Sequence, residues 1–158
     1  MLCAGPTEDQ NDDGPKYRDF VLNAPPLFIP GSKIGTIVTS RLEKYRPETE
    51  QWLAKNNVKY NKLVMLDLPN KEARMKANSH AVHKATEYKA HPYVLFVESA
   101  LYQAIEINRI TKKPVLCTEN FEMIFDAESV MYNLKSGKYF PWLRKMALKV
   151  RDKIRKRK

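Results

Sequence analysis

Cysteine is scarce: Cys3 and Cys117 stand far apart in a chain of 158 residues. That spacing gives neither a disulfide framework nor a zinc motif, and it fits a reducing cytoplasm. Long apolar runs are missing too. Nothing approaches the roughly 20 residues a membrane helix needs, so no membrane span is expected. The start, Met1-Leu-Cys-Ala-Gly5, has no basic region and no long apolar core, so no signal peptide is expected. No internal repeat is found. What remains, with 43% hydrophobic and 29% charged residues, is the composition of one globular domain with a real core. The one biased segment is Arg144 to Lys158, with nine Lys/Arg and one Asp, a balance of +8 within a net charge of +10. The body is therefore nearly neutral and the tail is basic.

The chain is organised around Ile34-Gly-Thr-Ile-Val-Thr39-Ser40-Arg41. It is a short apolar run ending in hydroxyl residues and an arginine, followed by an acidic helix opened by Pro47. A buried parallel strand in an open α/β sheet delivers its polar tip to a ligand in this way. Tyr93-Val-Leu-Phe-Val97, then Glu98-Ser99 and a helix, answers it. One tip offers hydroxyls and the other a carboxylate, which points to a phosphate-and-metal crevice.

The other elements follow from pattern. Residues 1–15 are polar and turn-rich, hence loop. Tyr17 to Asn23 reads as a short helix with Tyr17, Phe20 and Val21 inward, ended by Ala24-Pro25-Pro26. Strands are expected at 34–39, 62–66, 93–97 and 115–117. Pro47 opens a helix with Glu48 and Glu50 near its positive end, Trp52 and Leu53 inward and Asn56-Asn57 as the stop. Residues 71–89 read as helical. The helix after Glu98 carries Leu101, Ala104, Ile105 and Asn108 on one side, opposite Gln103, Glu106 and Arg109. Asn120 to Phe125 reads as a helical turn and Gly137 to Pro141 as loop. A final helix from Trp142 places Leu143, Met146, Ala147, Val150 and Ile154 at helical spacing. Alternating strand and helix predict βαβ units with a parallel sheet.

Laid out in this order, the pieces resemble the haloacid dehalogenase (HAD) superfamily of phosphohydrolases. The resemblance runs from about Leu2 to Met123. It is carried by Asn11-Asp-Asp-Gly14; by Ile37-Val-Thr-Ser-Arg-Leu-Glu-Lys-Tyr-Arg46 with Thr49-Glu50 and Trp52-Leu53; by His80-Ala81, Lys84-Ala85 and Tyr88; by Leu95-Phe-Val-Glu-Ser99 with Gln103-Ala104; and by Lys113-Pro-Val-Leu-Cys117. It implies a three-layer, Rossmann-like parallel sheet. It also implies roles. Thr39 is the hydroxyl that hydrogen-bonds the transferring phosphoryl group, and Lys84 balances charge on nucleophile and phosphate. Glu98 holds Mg²⁺, with Ser99 beside it, and Ser40 and Arg41 touch substrate. Phosphoryl transfer is mostly positioning and electrostatic stabilisation, which such groups supply.

The family's first motif is an Asp-x-Asp at the end of a central strand, and nothing before Thr39 fits it. Met1-Leu-Cys3 looks like the segment immediately after that motif. The resemblance therefore implies a sheet missing its first central strand, between the strands at 34–39 and 93–97. Two facing edges would be left unpaired or forced to pair directly. It also implies a chain without the family's nucleophile, either a truncated reading frame or a rebuilt, inactive relative. An unpaired edge would favour a homo-oligomer.

Each candidate has a plainer reading. Thr39 and Ser40 could cap the next turn. Glu98-Ser99 could be an ordinary helix start, and Lys89 rivals Lys84. His80 and His83 at that spacing are more often packing than metal ligands. Asp12 and Asp13 read as loop residues, with replacement of the lost nucleophile a remote alternative. Trp52 and Tyr60 read as core. The expectation is one HAD-like α/β domain over 1–141 and a basic helix or tail over 142–158. Its function would be Mg²⁺-dependent chemistry on a phosphorylated small molecule, inactive or impaired without the nucleophile. The alternative is a non-catalytic module that binds nucleic acid or an acidic partner through Arg144 to Lys158.

Overall fold

The first helix is started by a carboxylate. Asp12 accepts the N–H groups of Gly14, Lys16 and Tyr17 at 2.9, 3.3 and 2.9 Å, donors that a helix start otherwise leaves unpaired. Helix α1 (Pro15–Asn23) then turns Tyr17, Phe20 and Val21 inward, as their spacing predicts. The computed structural model describes residues 2–125 of the chain. After α1 come β1 (Ile34–Leu42), a 3-10 turn (Glu43–Tyr45), α2 (Arg46–Lys55), β2 (Tyr60–Leu66), α3 (Lys71–Ala77) and α4 (His80–Ala90). They are followed by β3 (Phe96–Glu98), α5 (Leu101–Thr111), β4 (Val115–Cys117) and β5 (Met123–Ile124). The protein is mixed α/β, with five α-helices among the described residues. No described helix is long and apolar enough to cross a membrane.

The strands form two small sheets. β1 pairs with β2 in parallel; β3 pairs with β4 in parallel, and β5 joins β4 antiparallel. Each sheet has its own core. α1, α2, β1 and β2 bury Phe20, Val21, Leu42, Tyr45, Trp52 and Leu53, and α4, α5, β3 and β4 bury Ala85, Tyr88, Ala104, Ile107, Val115 and Cys117. The indole of Trp52 donates to the Ala24 carbonyl at 2.7 Å in the first core, so a buried N–H does not go unpaired. Tyr60 packs against this core only half-buried.

Between the sheets lies a cleft of about 670 Å³. One wall is β1 from Ile34 to Arg41 and the other is the run Leu95 to Ser99. Among the described residues, β1 and β3 are each paired with another strand on one side only. Few contacts span the gap. The Tyr93 and Thr36 hydroxyls meet at 2.6 Å. The Tyr93 ring lies where a Cβ on Gly35 would come within 2.5 Å of it. Phe28 and Phe121 stack edge to face at 5.9 Å, and Lys62 reaches Glu87 at 3.1 Å.

Several boundaries differ from the sequence expectation. A single parallel sheet gives way to two sheets, because β1 and β3 do not pair. β1 runs three residues past Thr39, since buried Leu42 pairs with Leu66 beyond a register shift. The expected helix 71–89 breaks at Asn78, which adopts a left-handed φ of 41°, a conformation asparagine tolerates. β3 is shorter than 93–97 and ends one residue later, because it pairs only with the three residues Val115–Cys117 of β4. In α5 the buried face is Ala104, Ile107, Asn108 and Thr111, and Ile105 is half-exposed. The helical turn expected at 120–125 is instead the end of a hairpin. Asn120 accepts the Glu122 N–H at 3.2 Å and Phe121 takes a φ of 57°, which brings β5 back onto β4. The loop 137–141, the helix from Trp142 and the boundary at 141 lie outside the described residues.

Backbone groups alternate along a strand. The Ile34 N–H donates to the Lys59 carbonyl at 2.8 Å, so the amides of Thr36 and Val38 face β2 while those of Gly35 and Ile37 face the cleft. Residue-resolved hydrogen exchange by NMR should find Thr36 and Val38 at least about tenfold slower than Ile37. Equal protection at all of them would mean that the cleft edge of β1 is covered.

Candidate functional site

The register shift in the first sheet falls on the candidate residues. β1 uses four steps from Val38 to Leu42 where β2 uses two, from Val64 to Leu66. Thr39, Ser40 and Arg41 thus stand opposite Met65 alone, a surplus of two, and leave the ladder, as residues do at bulges that re-aim side chains. The Thr39 hydroxyl accepts the Arg41 N–H at 3.2 Å. The Arg41 guanidinium reaches the Cys3 sulfur at 3.2 Å. The Ser40 hydroxyl is buried without a partner among the described residues.

The opposite wall carries a buried ion pair. Lys84, on α4, donates to Glu98 at 2.5 Å and to Gln103 at 2.9 Å. Glu98 ends β3, and its second oxygen accepts the Ser99 N–H at 2.8 Å, the Ser99 hydroxyl at 3.2 Å and the Ala100 N–H at 3.3 Å. Burial pushes the Glu98 carboxyl up, but the charge and hydrogen bond of Lys84 and the two N–H groups outweigh it and hold the carboxyl below its ordinary value. Both side chains are almost inaccessible, at 12% and 6%, so the pair is structural as well as polar.

Thr39, Ser40, Arg41, Lys84 and Glu98 thus line a single cleft. α4 packs against β1, which places His83 beside Thr39. Lys89 is exposed and does not line the cleft. Asp12 and Asp13 do not line it either. Asp12 starts α1, and Asp13 is held by Lys44, the Tyr45 hydroxyl and the Lys71 N–H, each at 2.9 Å. Gln103, named in the sequence as part of a polar face and of the family resemblance but given no role, accepts from Lys84. Arg74 and His80 also line the cleft. Arg74 carried no signal in the sequence, because only the break at Asn78 brings it there.

A hard dication such as Mg²⁺ takes six oxygen ligands. Glu98 offers one carboxylate, and a lysine ammonium already neutralises it. Among the described residues no three His, Cys, Asp or Glu side chains cluster as ligands. As these side chains stand they do not fit the ion, and no step is derived through it.

Comparison with protein-family models, with curated proteins and with solved structures finds no match to this chain.

Lys84→Met should cost about 3–5 kcal/mol at pH 7, because it strands a buried carboxylate. In the parent, the depressed Glu98 group contributes stability above its unfolded value near ~4.3, and that contribution is lost as pH falls through the folded value. Without Lys84 the carboxyl is pushed up by burial, so the penalty should shrink from pH 7 to pH 5. Urea unfolding at the two pH values measures this; equal penalties would show that Lys84 acts through packing alone.

Proposed function

We propose that this chain is a phosphate-ester-binding α/β domain of the HAD type, with a Rossmann-like three-layer plan interrupted at its centre. The reading rests on one observation. Two parallel strands end at the same cleft, one bringing Thr39, Ser40 and Arg41 and the other Glu98 with Lys84. Hydroxyl and ammonium donors of this kind suit the oxygens of a phosphoryl group. Lys84 is fixed by Glu98 and Gln103, so it meets an incoming anion without first being ordered.

Turnover is another matter. Nucleophilic phosphoryl transfer needs a carboxylate free to attack. The carboxylates lining the cleft are Glu87 and Glu98, and both are engaged. Glu87 meets Lys62 at 3.1 Å and His91 at 3.3 Å. We therefore read the domain as binding phosphate esters while being inactive or severely impaired in hydrolysing them. With p-nitrophenyl phosphate and Mg²⁺, the chain should show no metal-dependent turnover. Turnover that vanished in Asp12→Ala or Asp13→Ala would overturn this, and would require one of those carboxylates to leave its present partners.

A second reading rests on charge. The +8 balance of Arg144 to Lys158 suits a polyanion. A non-catalytic module would bind single-stranded RNA or DNA through it, with affinity falling steeply as salt rises. Fluorescence anisotropy on a labelled oligonucleotide should lose its signal when residues 144–158 are deleted. Binding indifferent to the deletion would sink this reading.

A further inference from the structure

Several unanswered polar atoms line the cleft. The Ser40 hydroxyl, Nε of Arg74 and Nδ1 of His80 are buried without a hydrogen-bond partner among the described residues. All three residues line the cleft. Nε2 of His83, next to Lys84 in the chain, is unanswered as well. An unpaired buried polar atom costs about 1–3 kcal/mol, so such a set calls for a partner.

The backbone explains how they meet. In a continuous helix from 71 to 89, Arg74 and His80 would lie on different faces, since each residue advances about 100°. The left-handed Asn78 breaks that helix. The last turn of α3 and the first residue of α4 then address the same space. On α4 itself, His80, Lys84 and Glu87 share the face that lines the cleft, as spacings of four and three residues require.

The chemistry decides what the partner is. Arginine only donates and stays charged. Serine and histidine can donate as well. The positive charges of Arg74 and Lys84 stand close to His80, so a metal cation there would meet their repulsion. No described carboxylate is paired with Arg74, and the cleft glutamates are occupied elsewhere. An acceptor-rich anion answers the whole set and balances its charge as well, which water does not.

We propose that Ser40, Arg74 and His80 form a second anion subsite, so that the cleft takes ligands carrying two anionic oxyacid groups, one at Thr39 and Lys84 and the other here. The inference rests on the phosphate-ester reading of the cleft and adds the class of ester.

The test compares methylphosphonate with alkylene bisphosphonates of one to three methylenes, by calorimetry on the full chain. At least one bisphosphonate should bind about tenfold tighter or more, the scale of one charge-assisted hydrogen bond. Arg74→Gln and His80→Gln should each remove most of that advantage and leave methylphosphonate affinity unchanged, with unfolding midpoints confirming that both variants fold. If methylphosphonate binds, Thr39→Val weakens it and no bisphosphonate does better, the second subsite is wrong and the phosphate reading stands. An advantage that survives both substitutions likewise overturns the subsite, leaving water as the partner of these atoms. If nothing binds, both readings fall.

Discussion

A β-strand has two hydrogen-bonding edges, and β1 and β3 each use only one. The rest of the described structure depends on that constraint. Because the two edges do not meet, the hydrophobic residues segregate into two cores, and the space between them is a cleft. Thr39 and Ser40 on one side and Glu98 with Lys84 on the other line that cleft. Among the contacts that span it are the hydroxyls of Thr36 and Tyr93, the stack of Phe28 on Phe121 and the Lys62–Glu87 pair.

The electrostatics of the cleft end follow from how its charges are already spent. Arginine and lysine outnumber available carboxylates there. Glu98 is consumed by Lys84, and Glu87 by Lys62 and His91. The same pairing that stabilises Lys84 removes the two features a phosphohydrolase needs beyond anion binding, a free nucleophile and a carboxylate cage for a cation. Hydroxyl and ammonium donors line the cleft, whereas both of its lining glutamates are already paired.

Local pattern made much of this legible. Helix α1 with Tyr17, Phe20 and Val21 inward, and α2 from its proline to its asparagine stop, follow from spacing and caps. Thr39, Ser40, Arg41 and Glu98 could be named from strand tips and the family resemblance, and Lys84 from the resemblance alone; all five line one cleft. What escaped depends on long-range geometry. The bulge at Thr39 to Arg41 arises because Leu42 must rejoin β2, which no local window reveals. Tyr93 looked like a strand residue, but its hydroxyl is drawn to Thr36, 57 positions away. Asn78 is a stop residue of the same kind as Asn56 and Asn57, so the break was readable in principle; where it would carry Arg74 was not.

That break changes how α4 itself is understood. His80 and His83 first suggest a metal pair or packing, because three residues separate them. Once α3 turns away at Asn78, His80 lines the cleft together with Arg74 and Ser40, whereas His83 does not line it. The two imidazoles thus stand in different surroundings. A dication between them would sit beside Arg74 and Lys84 and pay their repulsion. An anion would be met by every unanswered atom on that face. The sign of the charge, more than the identity of any one side chain, decides what this cleft can hold.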